Sequence, residues 1–280
     1  MNEQEFFENF PVRDPGSNKS DNGTILIVGG SYGMAGAGIL NILGARSVGT
    51  SYIHVSVPQD IYPILAANQI TSVYHPRQDG EPLFVSVQSI LPKLDAACFG
   101  SGCTNLISKT ADLQWLTANI TSTLVIDAEG LRILADIPII LSTMKCPVIL
   151  TPHLGEFTGM VKRGFDEVSR NKEELALNYA KEHNVILVLK GPKTLIVSPD
   201  GDITYNDSGN ESLAQAGSGD VLTGIITGMC AKVSDPYLAA CMGVWLHGHL
   251  ADLWVKDHSR IGLRLEDYPV LADQFFKGKR

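Results

Sequence analysis

A short glycine-rich segment followed by a lone acid is the strongest chemical signal in the sequence. Residues 214–224 read AQAGSGDVLTG, in which Gly217, Ser218 and Gly219 turn the backbone tightly before an apolar run that predicts a helix. Glycines let backbone N–H groups converge, and a helix N-terminus adds roughly half a positive charge. We therefore interpret the turn as an anion hole for a phosphoryl group and Asp220 as the carboxylate that accepts a proton from a substrate hydroxyl. The alternative is a plain glycine turn with Asp220 as a helix cap.

A second candidate for phosphate binding is a lysine-containing turn. It consists of Lys190, Gly191, Pro192, Lys193 and Thr194, directly after an apolar run. Lysine neutralises phosphate, and the kinked backbone brings amides close to a nucleotide. Two solvated turn lysines are the alternative.

Two further loops follow apolar runs. The glycine cluster at 29–38 lets a ligand approach the backbone closely or lets a helix cross a strand, but it is an incomplete dinucleotide fingerprint, because Asn41 stands where the third glycine belongs. The segment 151–157 places His153 and Glu156 in a loop, where they could hold a substrate or an outer-shell magnesium ion. It lacks the further ligands of a zinc site.

The apolar runs predict how these loops are brought together. Six short continuous runs suit strands buried on both faces, and helical patterns such as 37–46 and 173–182 lie between several of them. This alternation predicts an α/β fold with a doubly wound, mostly parallel sheet flanked by helices, in which ligands bind at the carboxyl ends of the strands. Residues 195–205 predict a hairpin instead, and 220–255 reads as helical throughout. The six runs are 24–28, 52–57, 96–99, 123–126, 147–150 and 185–189.

Composition limits the class of protein. A length of 280 residues fits one domain over 1–280, and a net charge of −8 without a dense basic stripe argues against nucleic acid or a membrane as partner. Five cysteines form no C-x-x-C pair, which predicts reduced thiols. The acidic N-terminus does not read as a signal peptide and no run is long enough for a membrane helix, so we expect a cytoplasmic protein.

Taken in order along the chain, five motifs resemble those of the NAD(P)H-hydrate dehydratases, a branch of the ribokinase-like superfamily. They are GGS…MAGA at 29–37, VIDA at 125–128, LTPHLGEF at 150–157, LKGPKT at 189–194 and GN…AQAGSGDVLTG at 209–224. Together they span nearly the whole chain. The pieces TPHxGEF and GSGDVL, in this order and spacing, are the most specific.

The resemblance implies a ribokinase-like fold and a lyase that repairs a damaged cofactor. The substrate would be NAD(P)H hydrate, which carries a hydroxyl on its reduced ring. ADP or ATP would phosphorylate that hydroxyl, and loss of phosphate would restore NADH or NADPH. Magnesium (Mg²⁺) would bridge the phosphates, with protein ligands unknown. A homo-oligomer is also expected, with the helical C-terminal third as a candidate interface.

Matching positions assign the binding residues. Four would contact the substrate: Ala37, Gly102, His153 and Asp220. The nucleotide would lie on residues 190–194 and Gly219. Within this assignment Asp220 is the catalytic base for the ring hydroxyl, and the amides of 217–220 stabilise the transferred phosphoryl group.

Three segments depart from the family pattern: residues 214–217, which read AQAG where the family has ATGG, and two loops that leave the identity of the substrate open. Residues 127–132 read DAEGLR where the family has DADALN, and 100–104 read GSGCT where it has GPGLG. Arg132 and Cys103 could reshape the substrate pocket. Two other functions therefore stay open: a kinase for a small sugar or vitamin alcohol, and a nucleotide-binding relative without catalysis. The preferences for ADP or ATP and for NADH or NADPH hydrate are open as well.

Overall fold

A nine-stranded sheet forms the centre of the structure, a computed structural model that describes residues 1–78 and 80–279. The strands are β1 (Thr24–Val28), β2 (Tyr52–Pro58), β3 (Val73–Arg77), β4 (Ala96–Phe99), β5 (Thr123–Ile126), β6 (Val148–Leu150), β7 (Ile186–Leu189), β8 (Leu195–Val197) and β9 (Ile203–Tyr205). Their order is β3-β2-β1-β4-β5-β6-β7-β8-β9. Neighbours from β3 to β7 are parallel, whereas β8 and β9 are antiparallel.

Both faces of the sheet are covered. Along β1, Ile25 and Ile27 belong to one buried cluster, whereas Leu26 and Val28 belong to a second cluster. Successive side chains of a strand point to opposite faces, so the two clusters are the cores on the two sides of the sheet. This arrangement explains why the strand sequences are continuously apolar rather than alternating.

Helices fill the connections. They are α1 (Glu3–Asn9), α2 (Ala35–Ser47), α3 (Tyr62–Asn68), α4 (Leu83–Val87), α5 (Lys109–Asn119), α6 (Glu129–Asp136), α7 (Leu154–Val161), α8 (Phe165–Arg170), α9 (Lys172–His183), α10 (Ser218–Cys230), α11 (Pro236–Asp257) and α12 (Tyr268–Phe276). Short 3-10 turns occupy Leu91–Lys93, Pro138–Thr143, Glu211–Leu213 and Leu265–Asp267. In the described part of the chain, no helix combines the length and apolarity needed to cross a bilayer.

The predicted α/β sheet is confirmed. The six expected runs coincide with β1, β2, β4, β5, β6 and β7 to within a residue at either end, and the expected hairpin is β8–β9. The helix expected over 220–255 is wrong at one point, because a turn separates α10 from α11. Asp235 caps α11 by accepting the N–H groups of Tyr237 and Leu238, and Pro236 occupies the first helical position. These are helix start signals, and they interrupt the helical run.

Two glycines let α2 and α10 pack against each other closely enough to place the loops. A Cβ at Gly224 would collide with the carbonyl oxygen of Asn41, and one at Gly44 would collide with that of Val221. Both helices follow their loops at the carboxyl edge of the sheet and run towards the amino edge. Their N-termini therefore lie side by side where the candidate motifs meet.

Candidate active site

The predicted anion hole is the first turn of α10. Gly217 precedes the helix with φ +93°, a conformation that favours glycine, and a Cβ there would strike the side chain of Leu40. The backbone N–H groups of Gly219 and Asp220 donate to no acceptor within residues 1–78 and 80–279. Unsatisfied N–H groups at a helix N-terminus favour an anion. The turn thus has the geometry that its sequence predicts.

Asp220 lies half-buried at the edge of this turn. The nearby side chain of Ser101 favours the charged form of its carboxylate. Asn41 fixes the backbone, because its Nδ2 donates to the carbonyl oxygen of Asp220 at 2.8 Å and to Ser101 Oγ at 3.2 Å. Burial and the nearby charge of Asp127 raise the pKa of Asp220 to about 6, against the opposing effects of Ser101 and Lys190. An acid with this pKa is ionised at neutral pH yet basic enough to take a proton.

A buried ion pair stands beside the turn. Lys190 Nζ lies 2.8 Å from Asp127 Oδ1, and Thr223 Oγ1 donates to Asp127 Oδ2 at 2.9 Å. Burial would lower the pKa of Lys190, but the carboxylates of Asp127 and Glu156 outweigh it and raise this pKa above its usual value. A Cβ at Gly219 would lie 3.3 Å from Lys190 Nζ. A permanent positive charge therefore borders the anion hole.

His153 caps α7 and lies next to Lys190. Its Nδ1 accepts the N–H of Glu156 at 3.1 Å, and Glu156 Oε2 accepts the N–H of His153 at 2.8 Å. Because Nδ1 is an acceptor, the neutral ring carries its proton on Nε2. The backbone N–H of Lys190 donates to the carbonyl oxygen of Pro152 at 2.8 Å, which joins this loop to the end of β7. The ring is exposed at the carboxyl edge, and its Nε2 lies 3.5 Å from Glu156 Oε2.

The glycine cluster after β1 and the loop after β4 are joined by hydrogen bonds. Gly30 N–H donates to the carbonyl oxygen of Ser101 at 2.7 Å, and Ser31 Oγ donates to that of Gly102 at 2.7 Å. A Cβ at Gly102, whose φ is +67°, would lie 2.7 Å from the Cβ of Ala37. Ala37 and Gly102 are thus neighbours, and Ser101 connects them to Asp220.

The lysine-containing turn is only partly directed towards this centre. Lys190 points inwards to Asp127, whereas Gly191, Pro192 and Lys193 are exposed. Thr194 closes the turn by donating from Oγ1 to the carbonyl oxygen of Gly191 at 3.1 Å. The exposed backbone of the turn is therefore rigid and accessible.

A family comparison agrees with this arrangement. A protein-family model described as NAD(P)H-hydrate dehydratase matches residues 25–268. The chain belongs to the NAD(P)H-hydrate dehydratase family. It is 32% identical over 259 residues to an ADP-dependent (S)-NAD(P)H-hydrate dehydratase of Bacillus subtilis, covering 89% of this chain and 87% of that protein. It is also 32% identical over 248 residues to a bifunctional NAD(P)H-hydrate repair enzyme, Nnr, of Moorella thermoacetica. That match covers 86% of this chain and 47% of the enzyme, so the chain spans about half the length of that relative.

Solved structures confirm the ribokinase-like fold. An ADP/ATP-dependent NAD(P)H-hydrate dehydratase from Bacillus subtilis, co-crystallised with ATP and Mg²⁺, superposes with a TM-score of 0.81 at 29% identity, covering 99% of this chain and 96% of that one. A ribokinase-like superfamily protein from Enterococcus faecalis superposes with a TM-score of 0.82 at 20% identity, covering 98% and 95% of the two chains.

The loop that departs from the family pattern after β5 forms a charged cluster. Buried Glu129 lies 2.6 Å from Arg132 Nη2 and 2.8 Å from Lys109 Nζ. The Arg132 side chain is 65% exposed, whereas Cys103 is fully buried with Sγ 3.6 Å from the carbonyl oxygen of Val28. Of Arg132 and Cys103, Arg132 is therefore the one that a ligand can reach.

Four residues of this centre received no role from the sequence. They are Asn41, Ser101, Asp127 and Thr223. Asp127 directly follows β5, which is a usable signal in an α/β sheet. Asn41 stands among the apolar residues of α2, where an amide needs a buried partner. Ser101 and Thr223 carry no such signal, because their importance depends on which side chains face them.

His247 and His249 do not form a pair. His247 is buried, stacks on Tyr268 and lies 3.4 Å through Nε2 from Ser218 Oγ. Burial lowers the pKa of His247 to about 4, so the ring is neutral and supports the turn from behind. His249 stacks on Trp245 elsewhere on α11. In the described residues, no group of three or more histidine, cysteine, aspartate or glutamate side chains is placed to hold a metal ion.

Proposed function

We propose that this protein dehydrates NAD(P)H hydrate in an ADP- or ATP-dependent reaction and so restores the cofactor. The observation that carries the proposal is a carboxylate of raised pKa, Asp220, at the edge of a helix N-terminus whose N–H groups are unsatisfied, with Lys190 beside it. This combination provides a base for a hydroxyl and positive charge for a phosphoryl group in transfer. Family membership supplies the substrate class.

In the proposed reaction Asp220 removes the proton of the ring hydroxyl, and the hydroxyl oxygen attacks the terminal phosphorus of the nucleotide. The bond from phosphorus to the bridging oxygen breaks, which releases AMP from ADP or ADP from ATP. The amides of Gly219 and Asp220 stabilise negative charge on the transferred group. The ring nitrogen then expels phosphate by donating its electron pair, and loss of a proton from the adjacent ring carbon restores the double bond.

The two ligands have separate places in this proposal. Gly219 and the turn from Lys190 to Thr194 hold the nucleotide, whose phosphates face the charge on Lys190. Ala37, Gly102 and His153 line the pocket for the hydrate, with the Nε2–H of His153 as a donor. This division is supported by the contact between Gly102 and Ala37 and by the link from Ser101 to Asp220.

Magnesium fits this site only as a partner of the phosphates. Both oxygens of Asp127 already have partners, and the nearest other carboxylate to Lys190 is Glu156, with Oε2 at 4.0 Å from Nζ. One carboxylate with phosphate oxygens and water is a common environment for Mg²⁺. We propose that Glu156 faces the ion, which when bound would offset phosphate charge.

We also propose that residues 1–280 form one domain, that the protein is a cytoplasmic homo-oligomer, and that neither nucleic acid nor a membrane is its partner. A single sheet that includes β1 to β9 supports the first point, and five free cysteines support the second. Exposed Ile261 and Val270 in the C-terminal third support an interface, which light scattering would test.

The deciding experiment follows the absorbance band of the reduced nicotinamide ring. Purified protein is mixed with NADH hydrate or NADPH hydrate and Mg²⁺, with ADP and ATP in parallel. We expect a rise that depends on a nucleotide, and the faster pairs identify the preferred donor and substrate. A stable phosphorylated product without the rise would favour a kinase. No turnover in folded protein that binds nucleotide would favour a relative without catalysis.

A further inference from the structure

A basic cleft lies far from the candidate active site. We call it the amino-edge cleft. Arg13 of the N-terminal segment, Arg46 at the end of α2 and Lys232 just after α10 line a volume of about 550 Å³, and Lys19 lines a smaller hollow that shares Arg13 and Arg46 with it. The 13 residues of α2 separate it from the active site by about 20 Å, at a helical rise of about 1.5 Å per residue. A volume of this size falls within the range of small-molecule sites.

The cations of this cleft have no carboxylate within ion-pair distance among the described residues. Within residues 1–78 and 80–279, none of Arg13, Lys19, Arg46 and Lys232 forms an ion pair. The Nε of Arg46 is buried and has no hydrogen-bond partner among those residues. Burial and the charge of Arg13 lower the pKa of Lys232 to about 8. The other partners of these cations are neutral: Lys232 Nζ donates to the carbonyl oxygen of Asn22 at 3.1 Å, Arg13 Nη2 donates to Ser51 Oγ at 3.2 Å, and Lys19 Nζ lies over the ring of Tyr52. In a chain with a net charge of −8, four cations without an ion pair around one cleft are unexpected.

Neighbouring negative groups offset only part of this charge. Asp21 and Asp273 also line the cleft and bring two negative charges to it. The C-termini of α2 and α10 contribute roughly half a negative charge each, which Arg46 and Lys232 oppose. The four cations therefore exceed these negative groups by roughly one charge, and the buried Nε of Arg46 still lacks an acceptor among the described residues.

The cleft also has an apolar wall. Phe10, Val12, Pro269 and Phe276 contribute to it. A cleft lined by both cations and apolar side chains suits a molecule that carries an anionic group and a flat or apolar part. Arginine donates in a planar fork that matches phosphate oxygens, and three cations from separate elements can approach one phosphate from different sides.

We propose that the amino-edge cleft binds a phosphate-bearing small molecule, with Arg13, Arg46 and Lys232 holding the phosphate and the apolar wall holding the rest. The binding residues are separate from those of the active site, so the proposal holds whatever reaction that site performs. Because Arg13 belongs to the N-terminal segment, a bound ligand joins that segment to α2 and α10.

Hydrogen exchange measured by mass spectrometry tests the proposal at the cleft itself. The full-length protein is compared alone, with inorganic pyrophosphate and with ADP, following peptides that cover residues 11–22 and 46–51. We expect both ligands to slow exchange in these peptides, and ADP to act at lower concentration if the apolar wall contacts its base. No slowing with either ligand at millimolar concentration would overturn the proposal.

Charge-neutralised variants locate the binding. In Arg46→Gln/Lys232→Gln we expect the concentration of pyrophosphate needed for half-maximal slowing to rise about tenfold or more, because two charge-assisted contacts are lost. The matched control is Lys145→Gln/Arg170→Gln, which removes the same charges at exposed positions outside the cleft and should leave that concentration unchanged. Arg13→Gln, at an exposed position where folding is not at risk, should weaken the effect by a smaller factor. Equal slowing in the cleft variants and the control would refute the assignment.

Discussion

At the scale of single residues, Asp220 is useful as a base for the same reason that it destabilises the fold. Its carboxylate is partly buried near Asp127, which raises its pKa and makes its charged form unfavourable. Replacing it by asparagine removes the base, for which we expect turnover to fall by about 10²- to 10⁴-fold with nucleotide binding retained. The same change removes a charge that is partly buried beside Asp127. We therefore expect Asp220→Asn to be more stable at pH 7 by about 1–3 kcal/mol, given a shift from 3.8 to about 6 in its pKa.

The direction of this stability change follows from the raised pKa of Asp220. Below pH 4 both states are protonated, whereas between pH 4 and 6 the unfolded chain loses its proton first, so stability falls as pH rises through this range and stays lower above it. Three measurements at pH 7 check the prediction for Asp220→Asn. The absorbance assay gives turnover, calorimetric titration gives nucleotide binding, and thermal unfolding gives stability. Asp207→Asn, at an exposed position, is the control and should change none of them. Normal turnover in Asp220→Asn would refute its role as the base.

The acid limb of the pH profile is a second test at this scale. Because Asp220 must be ionised to act, kcat/KM should fall below pH 6 as the carboxylate gains one proton. Asp127 raises this pKa and Lys190 lowers it, so Asp127→Asn should move the limb to lower pH by about one unit, whatever the change in the maximal rate. A limb that stays in place would show that another group sets the profile.

Residue types predicted part of this centre and missed another part for a physical reason. The Gly-Ser-Gly-Asp turn can be recognised in the sequence, because glycines before an apolar helical run bring backbone N–H groups together at a helix start. Thr223 does not, since it lies one turn further on inside an apolar helix and matters only because Asp127 faces it. Such pairings arise from strand order, and a linear sequence does not display them.

At the scale of elements, the close crossing of α2 and α10 positions the loops of the site. Gly224→Ala would place a Cβ against the carbonyl oxygen of Asn41, so we expect a loss of about 1–3 kcal/mol or more in the free energy of unfolding, as for overpacked cores. Asn41 also holds Asp220, so kcat should fall with stability. Urea denaturation gives the first quantity and the absorbance assay the second.

A second glycine provides the matched control for this crossing. Gly159→Ala lies within α7, where an added Cβ meets no atom within 4 Å in the described structure, so the helix should gain up to about 1 kcal/mol from reduced backbone freedom. Equal effects of the two substitutions would show that the crossing does not require glycine.

Elements were predictable where their patterns were strong. Strands β1, β4 and β5 are continuous apolar runs buried on both faces, and their bounds could be read from the sequence. Strand β3 could not, because it is an edge strand that contains Pro76 and has only one fully buried residue. Proline is tolerated at an edge, where the missing N–H faces no partner. The strand therefore cannot be recognised from the strand propensities of its residues alone.

At the scale of the whole molecule, the first and last helices pack against each other. The family model matches residues 25–268, so α1 and nearly all of α12 lie outside it. Helix α1 packs on α12, with Phe7 and Phe275 stacked at 5.1 Å between ring centroids and Phe10 at 4.9 Å from Phe276. Phe6 is fully buried between them and Trp245 of α11, with ring centroids 5.1 Å apart. An ion pair between Glu3 and Lys279 adds to this contact.

Phe6 is the one phenylalanine of α1 whose side chain is fully buried, so its truncation should release the N-terminal helix. We expect Phe6→Ala to lower the free energy of unfolding by about 3–5 kcal/mol, the usual cost of removing a buried aromatic ring. Hydrogen exchange should quicken in α1 and α12 before it does in the sheet, because those helices lose their shared contact. The control is Phe165→Ala, which removes the same ring from a residue that is 57% exposed. It should lower the free energy of unfolding by less than about 1 kcal/mol. Unchanged exchange in α12 would mean that the rings of Phe7 and Phe10 suffice to join the ends, and that α1 is held along its whole length rather than by one side chain.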